Sequence, residues 1–172
     1  MVELDPVDRI TVGAVGEPGE RTFFIQARRG DRLVTILVEK QQVQLLSATV
    51  VEVLSGLGRP VEAEDLAAGS MDLEQPLDPE WRAGRLAVGY EEDRGLILLE
   101  AEELVPGDED DEEEKISLGE QARLWATPEQ MIALARHGAA VCAAGRPQCR
   151  FCGNPIEAEG HVCPAMNGHQ EA

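Results

Sequence analysis

The spacing of apolar residues divides the chain into short strands and two helices. Residues 9–14 alternate weakly, and residues 21–28 and 32–40 are β-rich runs on either side of Gly30 and Asp31, which predicts a hairpin. From about residue 40 to 57 the apolar positions recur with helical spacing, and the pattern stops with Gly56 or Gly58 near the end and Pro60 just beyond. The predicted buried face of this helix contains Val43, Leu46, Val50, Val53, Leu54 and Leu57.

A second set of strands and a helix follows in the same order. Residues 83–93 and 94–104 predict a hairpin that turns at residues 93–95, and residues 121–127 predict a further strand. Thr127 is a suitable N-cap, with Pro128 at the first helical position and Gln130 placed to complete a capping box. The apolar face of this second helix contains Met131, Leu134, Ala135, Gly138, Val141 and Cys142.

These elements predict an α+β fold, in which an antiparallel sheet carries two helices on one face. Residues 9–57 and 82–144 share the order of strands followed by a helix, which indicates a duplicated unit. Residues 59–80 have little periodicity and are interpreted as a long connection, with one helical turn at 62–68. We therefore expect an α+β domain over residues 1–145, with an acidic loop at 106–115, and a separate tail at 146–172.

Charge narrows the range of partners. The 172 residues carry a formal net charge of −18, and 26 acidic residues against 15 basic ones remain when the acidic run 108–114 is set aside. Such a field repels phosphate backbones and anionic lipid, and aromatic residues make up only 3% of the chain. No stretch approaches the ~18 apolar residues of a membrane span, and the first ten residues do not resemble a signal peptide. A cytoplasmic protein with protein partners or cations as ligands is expected.

The cysteines indicate a metal site near the C-terminus. Three of the four lie between residues 149 and 163, where Cys149-x2-Cys152 is followed by the pair His161-x-Cys163. Without an export signal, closely spaced cysteines beside histidine indicate metal binding rather than disulfides. Three thiolates and one imidazole suit tetrahedral zinc. His169 is an alternative to His161 as the fourth ligand.

A structural role for this zinc is favoured over a catalytic one. A catalytic zinc usually keeps one coordination position open for water, with a carboxylate or histidine nearby, and Glu157 and Glu159 could serve as proton carriers. Four protein ligands instead close the site, and three thiolates make the ion a weak Lewis acid. The alternative, that these are incidental residues of a disordered tail, does not explain why they occur in close pairs.

Other reactive or charged residues are better explained as structural. Cys142 lies on the apolar face of the second helix, so a core position is expected, and His137 lies off that face at the surface. Arg28, Arg29 and Arg32 form a small basic cluster beside a hairpin. The cluster could hold an anion, but arginines near a turn are more often simply solvated.

Several stretches together resemble a bacterial family, domain of unknown function 3090. They are DRITVGAVGEPGERTFFIQAR, VEKQQV and the ending AAGRPQCRFCGNPIEAEGHVCPAMNGH. The resemblance spans nearly the whole chain and implies a cytoplasmic bacterial protein without an established activity. It also implies that Cys149, Cys152, His161 and Cys163 are the ligand set, with His169 outside the family pattern. Arg150 stands where that pattern has proline, which should leave the ligands in place.

Three functions remain open at this point. The first is a non-enzymatic interaction or accessory protein, whose zinc-bound tail acts as a clasp or docks a protein partner. The second is an enzyme or enzyme subunit with a cleft near the loop GEPGERTFF, where Glu20 and Arg21 would face the tail. The third is a nucleic-acid-binding zinc ribbon, which would need a continuous basic face that includes Arg146 and Arg150 to overcome the net charge.

Overall fold

Strands in two main sheets and two helices surround a shared core. The computed structural model describes residues 1–17, 19–58, 71–105 and 119–144, and the backbone of 161–162 and 170–171. The helical turn expected at 62–68 and the acidic loop lie outside the described residues. The elements are β1 (Val2–Leu4), β2 (Arg9–Val15), β3 (Thr22–Arg29), β4 (Arg32–Val38), α1 (Lys40–Gly56), β5 (Ala83–Glu91), β6 (Leu96–Glu103), β7 (Gln121–Ala126), α2 (Pro128–Ala143), β8 (His161–Val162) and β9 (Gln170–Glu171).

The strands are divided between a three-stranded and a four-stranded sheet. Strands β2, β3 and β4 form an antiparallel sheet in chain order. The second sheet has the order β1-β7-β6-β5, in which β1 runs parallel to β7 and the other pairs are antiparallel. Strands β8 and β9 form a separate antiparallel pair. The predicted α+β class with two helices is confirmed, and a parallel edge strand is added to it.

Both helices begin at capping boxes. The Gln130 amide N–H donates to Thr127 Oγ1 at 3.1 Å, and the Thr127 amide donates to Gln130 Oε1 at 2.9 Å. At the start of α1 the Glu39 amide donates to Gln42 Oε1 at 2.8 Å. These contacts satisfy amides that have no partner inside the helix, and they confirm the predicted start of α2.

The fold contains two copies of a unit of three strands followed by a helix. The first repeat consists of β2, β3, β4 and α1, and the second consists of β5, β6, β7 and α2. Strand register aligns residues 9–13, RITVG, with residues 85–89, RLAVG. Gly13 lies opposite Phe24 and Gly89 lies opposite Leu98, at the same point of each hairpin. The duplicated unit expected from the order of elements is thus present in the topology.

The segment that precedes each repeat pairs with the last strand of the other repeat. Strand β1 precedes the first repeat but pairs with β7 of the second. Arg82, just before the second repeat, forms a parallel bridge with Leu37 in β4 of the first. Each capping glutamine also contacts the start of the other repeat or the segment before it. Gln42 Nε2 donates to Ala83 O at 3.1 Å, and Gln130 Nε2 donates to Val7 O at 3.3 Å. The repeats are therefore interlocked rather than merely adjacent.

The core lies between the inner faces of the strands and the helix pair. Val12, Ile25 and Ile36 face each other across the first sheet and are almost fully buried. A methyl group added to Gly138 of α2 would lie 3.2 Å from Val12 Cγ1, so the glycine allows α2 to approach the sheet closely. Within the described residues, no helix is both long and apolar enough to span a membrane.

Candidate functional site

The predicted zinc ligands lie mainly outside the described residues. Cys149, Cys152, Cys163 and the alternative ligand His169 belong to that group, and His161 is described only as backbone in β8. In the antiparallel pair of β8 and β9, His161 lies opposite Glu171 and Val162 lies opposite Gln170. The chain thus reverses direction between residues 162 and 170. In the part of the chain with described side chains, no group of three or more histidine, cysteine, aspartate and glutamate residues could hold a metal ion.

Arg21, in the loop proposed as an enzymatic cleft, caps a helix. Its Nη2 donates to Val141 O at 2.6 Å, in the last turn of α2, and its guanidinium lies over the Phe23 ring at 5.1 Å. A cation at this end of a helix also interacts favourably with the helix dipole. Arg21 thus fixes the end of α2 from which the cysteine-rich tail departs.

Cys142 is a core residue, as the sequence indicated. Its side chain is buried at the α1–α2 contact, with Sγ 3.9 Å from Lys40 O. Burial raises the pKa of the thiol, so the unreactive protonated form is favoured. His137, expected at the surface, is half-buried on α2, and burial lowers its pKa while the nearby Asp72 opposes that shift.

A groove of about 660 Å³ runs along the outside of the helix pair. Small residues line much of it, including Ala48 of α1 and Ala135 and Ala139 of α2. Ser47 lies in its floor, where a Cβ on Gly138 would come within 2.7 Å of Ser47 Oγ. The hydroxyl therefore points at the backbone of the facing helix.

The long connection between the repeats is ordered where it crosses the first sheet. We name residues 71–80 the strap. The strap lies on the outer face, where Thr11, Gln26 and Thr35 form one buried polar row across three strands. Gln26 makes two hydrogen bonds to the backbone of Glu74, donating to its carbonyl at 3.0 Å and accepting from its amide at 2.7 Å. The strap thus satisfies polar groups that would otherwise be buried without partners.

The basic cluster predicted beside the first hairpin is used inside the molecule. Arg28 Nε lies 3.0 Å from Glu74 Oε2, and Arg9 Nη1 lies 3.4 Å from the same oxygen. The hydrogen bonds from Arg28 lower the pKa of the Glu74 carboxyl, against a smaller opposing effect of burial. Arg29 donates to Pro6 O at 2.6 Å, and Arg32 donates to Glu80 at 2.9 Å. The arginines therefore hold in place the strap and the segment between β1 and β2.

The outer face of the second sheet carries a different cluster. The Trp125 ring lies beneath the guanidinium groups of Arg94 and Arg123, at 5.2 and 5.5 Å from its centroid. Arg94 is also hydrogen-bonded to Asp5, which lowers the pKa of that carboxyl. In the described part of the chain, the buried atoms Trp125 Nε1, Arg123 Nε and Glu91 Oε2 have no hydrogen-bond partner. Sequence reasoning missed this cluster, because its members are brought together only by strand register.

Comparison with known proteins identifies a family but no activity. Residues 2–163 match the family model described as Protein of unknown function (DUF3090). No curated protein and no solved structure matches the chain. The family match covers both repeats and extends to Cys163, the last of the predicted cysteine ligands. The chain therefore belongs to the DUF3090 family.

Proposed function

We propose that this protein is a zinc-binding interaction or accessory protein without catalytic activity of its own, in which a structural zinc ion folds the C-terminal tail. Cys149, Cys152, His161 and Cys163 hold the ion in a closed tetrahedral site. The folded tail acts as a clasp on the α+β domain or as a docking surface for a protein partner in the bacterial cytoplasm.

The donor set supports zinc and a structural role. Three thiolates and one imidazole match the borderline-soft preference of zinc and leave no position for a reactive water. Zinc binding supplies about 10–16 kcal/mol in zinc-finger peptides, which suffices to fold a segment too small for a core of its own.

The reversal of the chain at β8 and β9 is the observation that carries the proposal. The antiparallel pairing of His161 and Val162 with Glu171 and Gln170 supports the proposal, because it brings the two ends of the segment that contains Cys163 and His169 close together. It also bears on the fourth ligand, since Cys163 directly follows β8 and His169 directly precedes β9. Both histidines must therefore be tested.

The positions of other reactive groups support a non-catalytic role. Arg21 is engaged as a helix cap, and the buried Cys142 thiol is held in its protonated form. Glu74 is enclosed between arginines that fasten the strap. Each of these side chains is of a type that can take part in catalysis, and each instead contributes to the fold.

Metal content tests the proposal directly. Elemental mass spectrometry on untagged protein should find one zinc ion per chain, lost in His161→Ala and retained in His169→Ala. Cys142→Ala is the matched control, because it removes the one cysteine outside the tail, and it should retain zinc.

Two results would contradict this account. Protein without any metal would exclude the zinc site. Zinc that persists in both histidine variants would indicate an open or exchangeable fourth position, and would favour hydrolytic chemistry over a structural role.

A further inference from the structure

The outer faces of the two repeats are equivalent in register but differ in what covers them. In the first repeat, a Cβ on Gly13 would lie 2.6 Å from Leu73 Cγ, because the strap packs its leucine directly onto the glycine. In the second repeat, Gly89 occupies the same position, and a Cβ there would meet no described atom within 4 Å. A position that Leu73 fills in the first repeat is thus free of other described atoms in the second.

The neighbouring polar row shows the same difference. Beside Gly13, Thr11 donates to Met71 O of the strap and Gln26 donates to Glu74 O of the strap, while the Thr35 hydroxyl accepts from Gln26 within the row. The corresponding row beside Gly89 is Ala87, Glu100 and Arg123.

Two buried donors of the second face, Arg123 Nε and Trp125 Nε1, have no acceptor among the described residues, although Arg123 Nη1 donates to Glu3 at 3.3 Å and Arg94 donates to Asp5 at 3.0 Å. Arg123 Nε lies 3.5 Å from Glu100 Oε2 without hydrogen-bond geometry, and Trp125 Nε1 has no partner within the described residues. Buried donors almost always have acceptors, so these two described donors suit a segment that carries carbonyl or carboxylate oxygens.

We propose that the C-terminal segment, residues 145–172, docks across the outer face of β5, β6 and β7 as the strap docks across the first sheet. Chain connectivity favours this occupant. The strap belongs to the segment that follows α1, and residues 145–172 follow α2, the equivalent helix. The 29 residues that follow α2 outnumber the 26 that join α1 to β5, so the tail is long enough to reach an equivalent position.

The tail also has the residue types that the site requires. The strap places Leu73 on Gly13 and the adjacent Glu74 between arginines. Ile156-Glu157 repeats that order of an aliphatic residue followed by a glutamate. The aliphatic residue suits the space over Gly89, and an oxygen of the carboxylate suits the two donors without acceptors, the Trp125 indole N–H and Arg123 Nε.

This placement deepens the proposed function, because Ile156 and Glu157 lie between the two pairs of zinc ligands. The zinc ion would hold the docking residues in a fixed loop, and the open sheet face would be the surface that the clasp closes. The inference rests on the proposed function for the role of zinc but not for the docking itself.

Photo-cross-linking locates the occupant without relying on a disruptive mutation. A benzophenone amino acid replaces Ala87 in the full-length protein, and the products are mapped by peptide mass spectrometry after irradiation. The expected product joins residue 87 to the segment 145–172 within one chain. A cross-link between two chains would assign the face to a second copy, and cross-links confined to other parts of the same chain would overturn the proposal.

Filling the open position tests the same contact by competition. Gly89→Gln should raise amide hydrogen-exchange rates in residues 145–172 by about tenfold or more, because the new side chain occupies the docking position. Gly56→Gln is the matched control, since a Cβ at Gly56 also meets no described atom within 4 Å, and it should leave the tail unchanged. Equal tail exchange in both variants would contradict the docking.

Zinc measured in the same samples separates the two proposals. Intramolecular cross-linking to the tail in protein without zinc would support docking while removing the proposed metal site. Zinc-loaded protein whose tail forms no cross-link with residue 87 would keep the metal site and exclude the docking.

Discussion

At the scale of single residues, the fold depends on a few close approaches that only small side chains permit. Gly138 brings α2 against α1 and the first sheet, because a Cβ there would lie 2.7 Å from Ser47 Oγ and 3.2 Å from Val43 Cγ1. Gly13 does the same for the strap and Leu73. Neither glycine has a positive backbone φ that would require glycine, so space rather than backbone conformation selects glycine at both positions.

The stability that Glu74 adds to the folded protein through the strap depends on pH. Its pKa is lowered in the folded protein by Arg28 first and by Arg9, so the carboxylate adds stability above the pKa of the unfolded chain. That stability is lost as the pH falls through the lower folded pKa. We expect Glu74→Gln to lower the melting temperature at pH 7, and the difference from wild type to shrink as the pH falls below the usual range of a glutamate pKa and the Glu74 carboxyl becomes protonated.

Thermal unfolding followed by circular dichroism at several pH values measures this effect. Glu92→Gln, in the exposed turn between β5 and β6, is the control and should show a small difference at every pH. A deficit of Glu74→Gln that stays constant across the acidic range would show that the carboxylate charge does not fasten the strap.

At the scale of secondary-structure elements, the helices are specified locally and the strap is not. The capping residues Thr127 and Gln130 and the apolar spacing of both helices are visible in the sequence, and their predicted positions agree with the structure to within a residue or two. The strap follows no periodic pattern, and it is ordered through Gln26, 48 residues away from Glu74 in the chain. Strand β1 has only three residues and pairs with a strand about 120 residues later. Long-range partners of this kind leave no local signal.

The cap of α2 can be tested with a matched pair of threonines. Thr127→Ala removes the acceptor for the Gln130 amide and should lower the free energy of unfolding by about 1 kcal/mol. Thr49 also uses its hydroxyl locally, donating to Leu45 O inside α1 at 2.7 Å, but alanine suits a helix interior.

Urea denaturation of both variants gives the comparison. Thr49→Ala should be neutral or slightly stabilising, whereas Thr127→Ala should shift the midpoint to lower urea without changing the slope. Similar losses in both variants would mean that the cap is no more important than an exposed hydroxyl within α1.

At the scale of the whole molecule, net charge opposes the compact state. Because the formal charge is −18, repulsion among carboxylates should outweigh the attraction within exposed ion pairs, such as that between Glu3 and Arg123. Salt would weaken the attraction within these pairs. Sodium chloride shortens the range of this repulsion to about 10 Å at 0.1 M. We therefore expect the melting temperature to rise when salt is added from low ionic strength to about 0.2 M.

Calorimetry in sodium chloride and in choline chloride distinguishes screening from specific ion binding, because the two salts should act alike at equal ionic strength. A melting temperature that falls with salt would show that ion pairs such as Arg94 with Asp5 dominate the electrostatic balance.

The pairing of each preceding segment with the other repeat also dictates an order of events during synthesis. Val2 lies beside Ala122 in the finished sheet, so β1 has no partner until β7 has been translated. The first repeat likewise lacks the Ala83 carbonyl that Gln42 contacts until the second repeat begins to emerge. A growing chain therefore cannot complete its first half and then add its second. The nascent protein must keep the edge of β4 unpaired until Arg82 emerges and β1 unpaired until β7 emerges, which makes the interval before β7 emerges the period of greatest exposure to aggregation and to chaperones.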